Sequence, residues 1–237
     1  MRKLRIHVFQ HVHFEGIGAI EPWAQARGHQ IGYSRLFDGE APPAPESFDW
    51  LIVMGGPMGV HDEAEFPWLK AEKRAVAATL KAGIPVLGIC LGAQLLAEVS
   101  GGTVSRNREK EIGWFPIHSI QSRSGRAWPW SIFPATLTTF HWHGDTFTLP
   151  PGAIHLAASE GCEQQAFAVG EKAVGLQFHP EATPEGIAAL LANCASDLTP
   201  GRYVQAADKL AGSLEYQAAN RRFLSDLLEG LESRALA

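Results

Sequence analysis

Cysteine is scarce in this 237-residue chain, which holds only Cys90, Cys162 and Cys194. Three is an odd number and too few for a disulfide framework, so a reducing cytoplasm is the expected compartment. Charge is also sparse: 19% of residues are charged and the formal net charge is -5. Nothing in that balance predicts nucleic-acid or acidic-membrane partners. No apolar run approaches the ~20 residues that a membrane span needs. The basic start Met1-Arg2-Lys3-Leu4-Arg5 leads into a short apolar segment broken by His7, Gln10 and His11. It reads as a first strand rather than a signal peptide. Internal repeats, low-complexity linkers and the phosphate loop G-x-x-x-x-G-K-[ST] are missing too. What is present is an ordinary globular composition, 46% hydrophobic, sufficient for one large domain or two small ones.

Early strands alternate with helices. Residues 4–10 alternate apolar and polar, as a strand does. Residues 18–27 read as a helix stopped by Gly28, and residues 30–35 as a second strand. Residues 49–54 form an apolar strand that ends in Gly55-Gly56-Pro57, where a glycine pair frees the backbone to approach a ligand. Residues 67–82 read as a helix opened by Pro67. A β-rich section follows, with strands expected at 111–117, 135–141, 146–149, 154–158, 165–169 and 173–178. Residues 122–132 read as a turn with a short amphipathic piece, and 197–203 as a loop. Helices are expected at 184–193 and 214–236. The pattern predicts an α/β fold: an open, mostly parallel sheet flanked by helices, with an antiparallel addition.

The most informative stretch is Ile84 to Gly92, I-P-V-L-G-I-C-L-G. Its apolar residues suit a strand buried on both faces, and Ala93 to Glu98 suits a helix. Cys90 therefore sits at a strand-to-helix turn with Gly88 and Gly92 on either side. That is the arrangement of a nucleophile elbow, with cysteine in place of serine. A Cβ at either glycine would crowd a turn this sharp. The N-terminus of the following helix favours a thiolate. The plainer reading is a small core cysteine.

A cysteine nucleophile needs a base, and the base needs an orienting group. His179 and Glu181 lie two residues apart just past an apolar strand, with Pro180 restricting the backbone between them. Taken singly, His179 is a structural histidine and Glu181 a helix-terminal acid. Together with Cys90 they form a nucleophile, base and carboxylate set.

Gly55-Gly56-Pro57, Gly88-Ile89-Cys90-Leu91-Gly92-Ala93-Gln94 and Gln177-Phe178-His179-Pro180-Glu181 resemble, in order and spacing, the three signatures of class I (triad-type) glutamine amidotransferases. The similarity runs from about residue 6 to about residue 193. It implies a flavodoxin-like fold and removal of the side-chain amide of glutamine through a γ-glutamyl thioester. It implies Cys90 as nucleophile, His179 as base and then acid, and Glu181 as the group that fixes the imidazole. It further implies the backbone N–H groups of Gly56 and Leu91 as the oxyanion hole. Gln94 and the backbone around His143, Gly144 and Asp145 become substrate contacts, the latter three as a loop over the substrate. Residues 1–195 are then a catalytic domain, and 196–237 a helical extension packed on it, with a homodimer contact as the second reading.

The implied partner is a small molecule, glutamine or a γ-glutamyl compound, with no cofactor. Two enzymatic readings stay open. One is a subunit that delivers ammonia to a separate synthase, as in the glutaminase part of GMP synthase. The other is a stand-alone hydrolase of γ-glutamyl peptides or glutathione conjugates. A non-catalytic binding module is a third reading, which an intact triad argues against. His141 and His143 near Asp145 invite a metal reading, but no third convergent ligand is evident, so no metal is expected. His11 and His13 read as a loop edge near the pocket, and Trp142 as core or pocket wall.

Overall fold

The computed structural model describes residues 2–120, 127–212 and 214–237. In chain order the elements are β1 (Arg5–Gln10), α1 (Ile20–Arg27), β2 (Gln30–Arg35), β3 (Trp50–Val53), α2 (Leu69–Lys81), β4 (Val86–Ile89), α3 (Leu91–Val99) and β5 (Val104–Ser119). There follow β6 (Thr136–Phe147), β7 (Ile154–Ala158), β8 (Ala166–Val169), β9 (Ala173–Leu176), α4 (Pro184–Asn193), β10 (Tyr203–Val204), α5 (Ala207–Gly212) and α6 (Gln217–Leu236). The strands make one sheet, ordered β10-β5-β7-β8-β9-β4-β3-β1-β2, with β6 paired to β5.

The pairs from β2 through β1, β3 and β4 to β9 are all parallel. That order of five parallel strands is the flavodoxin-like arrangement. From β9 outward, β8, β7, β5 and β6 pair antiparallel. The open sheet with an antiparallel addition, expected from the sequence, is therefore present. β3 and β4 are buried at every position, as strands covered by helices on both faces must be. Alternation divides their side chains between two cores. Trp50, Ile52, Leu87 and Ile89 join the core that contains residues of α1 and α6. Leu51, Val53 and Val86 join the one that contains residues of α2 and α3. Among the described residues no helix is long and apolar enough to cross a membrane.

Several boundaries differ from the sequence reading. The helix expected from Gly18 starts at Ile20. Gly18 has φ +51, and Ala19 N–H donates to the Glu181 carbonyl over 2.9 Å. A Cβ on Gly18 would collide with that carbonyl, so this glycine docks the Glu181 segment instead of opening a helix. Residues 142–145 do not form a loop between two strands, since one strand runs through them from Thr136 to Phe147. His143, Gly144 and Asp145 lie inside the twelve-residue β6, where His143 pairs with Glu111 and Asp145 with Arg106. Pairing with the sixteen-residue β5 supplies the backbone bonds that a Gly-Asp turn would otherwise make, so tertiary context overrides the turn signal. The expected loop at 197–203 ends in β10, which pairs with β5, and the short α5 after it has no counterpart in the sequence reading. Of the segment 122–132, residues 122–126 lie outside the described residues, and Trp130–Ile132 is a single 3-10 turn.

The C-terminal helix α6 begins at Gln217 after a 3-10 turn at Leu214–Tyr216. Leu224, Leu227, Leu228 and Leu231 recur at helical spacing and are buried. Arg27 binds Glu229 at 2.6 Å and Glu232 at 3.3 Å, and His29 reaches Glu232 at 3.0 Å. Since Leu227 is fully buried, Leu227→Ala is expected to cost about 2–5 kcal/mol in urea unfolding. A loss under about 0.5 kcal/mol would show that α6 is a peripheral appendage.

Candidate active site

Cys90 follows β4, and β4 lies between β3 and β9. β3 leads into Met54-Gly55-Gly56, and β9 leads through Gln177-Phe178 to His179. Three segments far apart in sequence thus meet at the carboxyl edge of the parallel strands, where open α/β sheets place their ligands. Cys90 has φ 52 and ψ -107 and is the one non-glycine residue with positive φ among the described residues. Such a conformation costs about 1–3 kcal/mol and persists only where its surroundings enforce it. Here Cys90 N–H donates to the Leu176 carbonyl over 2.7 Å, and Gly92 N–H to the Met54 carbonyl over 3.1 Å. A Cβ on Gly88 would strike the Gly92 backbone, and one on Gly92 would strike the Val53 carbonyl. The elbow exists because both positions lack a side chain.

His179 Nδ1 pairs with Glu181 Oε1 at 2.8 Å, and its ring and the Cys90 side chain line one narrow cleft. Its backbone N–H donates to the Phe140 carbonyl over 2.8 Å, which ties it to β6. Burial pushes the imidazole down. The Glu181 charge and hydrogen bond, together with the neighbouring Cys90 sulfur, more than offset this and hold it well above the ordinary histidine value. The Cys90 sulfur lies 3.6 Å from the Trp142 carbonyl, so β6 borders both members of the pair. The other two cysteines are poor nucleophiles at neutral pH. Burial pushes each of their thiols up to about 11, with nearby carboxylates adding to it.

Gly55 is wedged among these groups. A Cβ there would come 2.7 Å from the Glu15 carboxylate, 3.2 Å from His179 Cε1 and 3.5 Å from Cys90 Cβ. Glu15 is thus a further acid at the site. Burial raises its carboxyl above the usual range, against the opposing charges of His179 and His11. No motif marks Glu15 in the sequence; only the topology brings its loop here.

His11 is not a loop edge. Its side chain and that of Glu72 are completely buried, 2.7 Å apart at Nε2 and Oε1. Its Nδ1 lies 2.9 Å from the Gly55 carbonyl oxygen, and its ring stacks on Trp68. Both ring nitrogens face acceptors, so the ring holds a proton on each. Burial opposes that charge, but the Glu72 charge and hydrogen bond, aided by Gly55, raise His11 above its ordinary value. In a planar trans peptide the C=O and the following N–H point in opposite directions. By gripping the Gly55 carbonyl, His11 therefore fixes the direction of the Gly56 N–H. His13, by contrast, is exposed.

A cleft of about 340 Å³ is lined by Gly56, Cys90, Gln94, His143, Gly144 and Asp145. All the expected substrate contacts therefore border the thiol. Gln94 is not solvent-facing: its amide donates to Gln177 Oε1 over 3.1 Å. The His143 side chain is turned inward, to Glu111 at 3.0 Å and the Asp145 carbonyl at 3.0 Å, which leaves its backbone to the cleft. Leu91 opens α3, where a helix leaves N–H groups without an intrahelical partner.

The structure groups His141 and His143 with Glu111, their ligand atoms within 4.8 Å of one another. Asp145 is elsewhere, paired with Arg106 at 3.3 Å. The Glu111 carboxylate already accepts from Ser159 at 2.7 Å, His143 at 3.0 Å and Gln165 at 2.6 Å. These donors satisfy its oxygens without an ion.

The family model for glutamine amidotransferase class-I matches residues 32–197. The chain belongs to that family. Its members are in general cysteine-dependent amidohydrolases. The chain is 35% identical to the glutamine amidotransferase-like protein YfeJ of Salmonella typhimurium, over 94% of this chain and 97% of that one. It is 33% identical to a GMP synthase of Alkalilimnicola ehrlichii over 79% of this chain, but spans only 36% of the synthase. Among solved structures, a glutamine amidotransferase from Thermotoga maritima superposes with a TM-score of 0.87 at 31% identity, each chain fully covered. One from Methylobacillus flagellatus gives 0.90 at 26% identity, covering 98% of this chain and 96% of that one.

Burial lowers His141 to about 4, outweighing the attraction of Glu111. The unfolded chain, with an ordinary histidine near 6.5, binds the extra proton first as pH falls. His141 therefore withdraws stability as pH drops from about 6.5 towards about 4, amounting to roughly 2 kcal/mol between about pH 7.5 and about pH 5. Because His11 and His179 shift the other way, the check is a difference: from about pH 7.5 to about pH 5, denaturant unfolding should show wild-type stability changing by roughly 2 kcal/mol more unfavourably than that of His141→Gln.

Proposed function

We propose that this chain hydrolyses the γ-amide of glutamine through a Cys90 γ-glutamyl thioester, releasing ammonia and glutamate. The observation that carries the reading is Cys90 on its strained turn, sharing one narrow cleft with a His179 that is hydrogen-bonded to Glu181. With the Cys90 proton already held on His179, the sulfur attacks the γ-carbonyl carbon. The oxyanion that forms is held by the N–H groups of Gly56 and Leu91. His179 then gives its proton to the departing nitrogen, the C–N bond breaks, and ammonia leaves the thioester. Water, deprotonated by His179, attacks that thioester, and the thiol is expelled with glutamate as product. Glu181 holds the ring with its Nδ1 proton inward throughout. Gln94 and the backbone of His143, Gly144 and Asp145 hold the amino-acid end of the substrate. His11 acts behind the oxyanion hole as a positioning residue, because it keeps the Gly56 donor aimed at the cleft.

The relation to GMP synthases supports a role beside an ammonia-accepting synthase. Glutamine turnover that appears only when a synthase is added would make the chain such a subunit, and partner-free turnover would make it a free hydrolase. Cys90→Ala is expected to abolish glutamate release, and retained turnover would overturn the assignment. Glu181→Gln should cost less rate than His179→Ala; equal losses would mean that the carboxylate does more than orient. His11→Ala should lower kcat about tenfold to a hundredfold with KM nearly unchanged. Alkylation of Cys90 by iodoacetamide should stay close to the wild-type rate, whereas general disruption of the site would depress both.

A further inference from the structure

Release of ammonia needs almost no space, since the leaving group is a single heavy atom. Far more space is present on that side. The space directly beside the thiol is a narrow cleft of about 20 Å³, lined by Glu15, Cys90, His179, Leu190 and Asp197 and wide enough for a linker only. It shares Cys90 and Asp197 with the substrate cleft. It shares Glu15, His179 and Leu190 with a second cavity of about 360 Å³. The reacting pair thus stands at the seam between two chambers.

The geometry of acyl transfer says which half of a substrate each chamber would receive. The glutamyl end belongs with Gln94 and His143, which line the first chamber. The leaving nitrogen collects its proton from the His179 nitrogen that faces Cys90, because Nδ1 is engaged by Glu181. Any substituent on that nitrogen therefore extends along the narrow cleft, past His179. The second chamber is walled by Phe14, Met54, Phe140 and Leu190, with the carboxylates of Glu15 and Glu185 among them. No lysine or arginine lines it among the described residues. About 150 Å³ is enough to hold a benzene ring, so the chamber accommodates a ring with its linker.

We propose that this second cavity binds the leaving-group half of a γ-glutamyl amide. The preferred substrates are γ-glutamyl amides of primary amines that carry an apolar body and no carboxylate. The proposal rests on Cys90 acting as the acylated nucleophile. Its chemistry is that of the glutaminase with one change: the C–N bond that breaks releases R–NH2, protonated by His179, in place of ammonia. The apolar wall removes the body of the amine from water. Glu185 and the lack of a lysine or arginine disfavour a leaving group such as an amino acid, whose own carboxylate would be buried there without a lysine or arginine to pair it.

The test compares L-glutamine, γ-L-glutamylbenzylamide and γ-L-glutamylglycine as substrates of the full chain, with glutamate release as the readout. The expected result is a kcat/KM for the benzylamide at least about tenfold above glutamine, with the glycine amide below the benzylamide. Ala189 lies on α4 in the wall of the cavity, and Ala189→Phe should lower the benzylamide-to-glutamine ratio about tenfold. Benzylamine should also inhibit wild-type glutamine hydrolysis at lower concentration than benzoate, which tests the cavity without any variant. Glutamine turnover with a benzylamide kcat/KM at or below that of glutamine would overturn this proposal and leave the glutaminase reading intact. Failure of all three amides to react would overturn both.

Discussion

The backbone at Cys90 occupies a conformation that L-residues avoid, and the central strands hold it there from both sides. Met54, directly after β3, supplies the carbonyl that anchors Gly92, and β9 supplies the Leu176 carbonyl that anchors Cys90 itself. The same two strands then run on to the other parts of the site, β3 to the Gly55-Gly56 turn and β9 to His179. Strain and assembly therefore have one cause. The hydrogen bonds that force the elbow are made by the strands that deliver its partners. Gly88 and Gly92 make this compatible with close packing, because their missing side chains let the turn sit against neighbouring backbone.

Around that turn lie three buried histidine–carboxylate contacts: His179 with Glu181, His11 with Glu72, and His143 with Glu111. Buried pairs of this kind contribute little net stability, since desolvation offsets most of the attraction. What they supply is orientation. One fixes the ring beside the thiol, one fixes the Gly55–Gly56 peptide, and one ties β6 to β5 beneath the substrate cleft. The long β5–β6 ribbon is thereby joined to the reacting groups through Phe140 and Trp142, whose carbonyls receive the His179 N–H and the Cys90 thiol.

The parts legible in the sequence are those encoded by neighbouring residues. Glycines two positions either side of Cys90, and a proline between His179 and Glu181, are local signals with a steric meaning. They locate the elbow and the histidine–acid pair, while the run of apolar strands gives the parallel sheet. The parts that were not legible depend on pairings between distant residues. Glu72 meets His11 across sixty-one positions, and neither residue announces the other. Glu15 reaches the site only because its loop follows β1, which lies beside β3. His143, Gly144 and Asp145 carry turn chemistry and yet extend as strand, because β5 happens to lie alongside. Gly18 shows the same limit: its φ is set by a carbonyl that belongs to Glu181.

The position of β9 between β4 and β8 also bears on how such a protein is made. Some eighty residues, carrying α3 and β5 to β8, emerge from the ribosome between β4 and β9. Until then one edge of β4 has no neighbour, and Cys90 lacks the carbonyl that holds its backbone. Pairings over such sequence distances form late and slowly. The nascent chain must keep an apolar, unpaired strand from sticking to other chains during that interval. Its thiol stays an ordinary one through synthesis, and acquires the bent backbone and the imidazole together when β9 inserts.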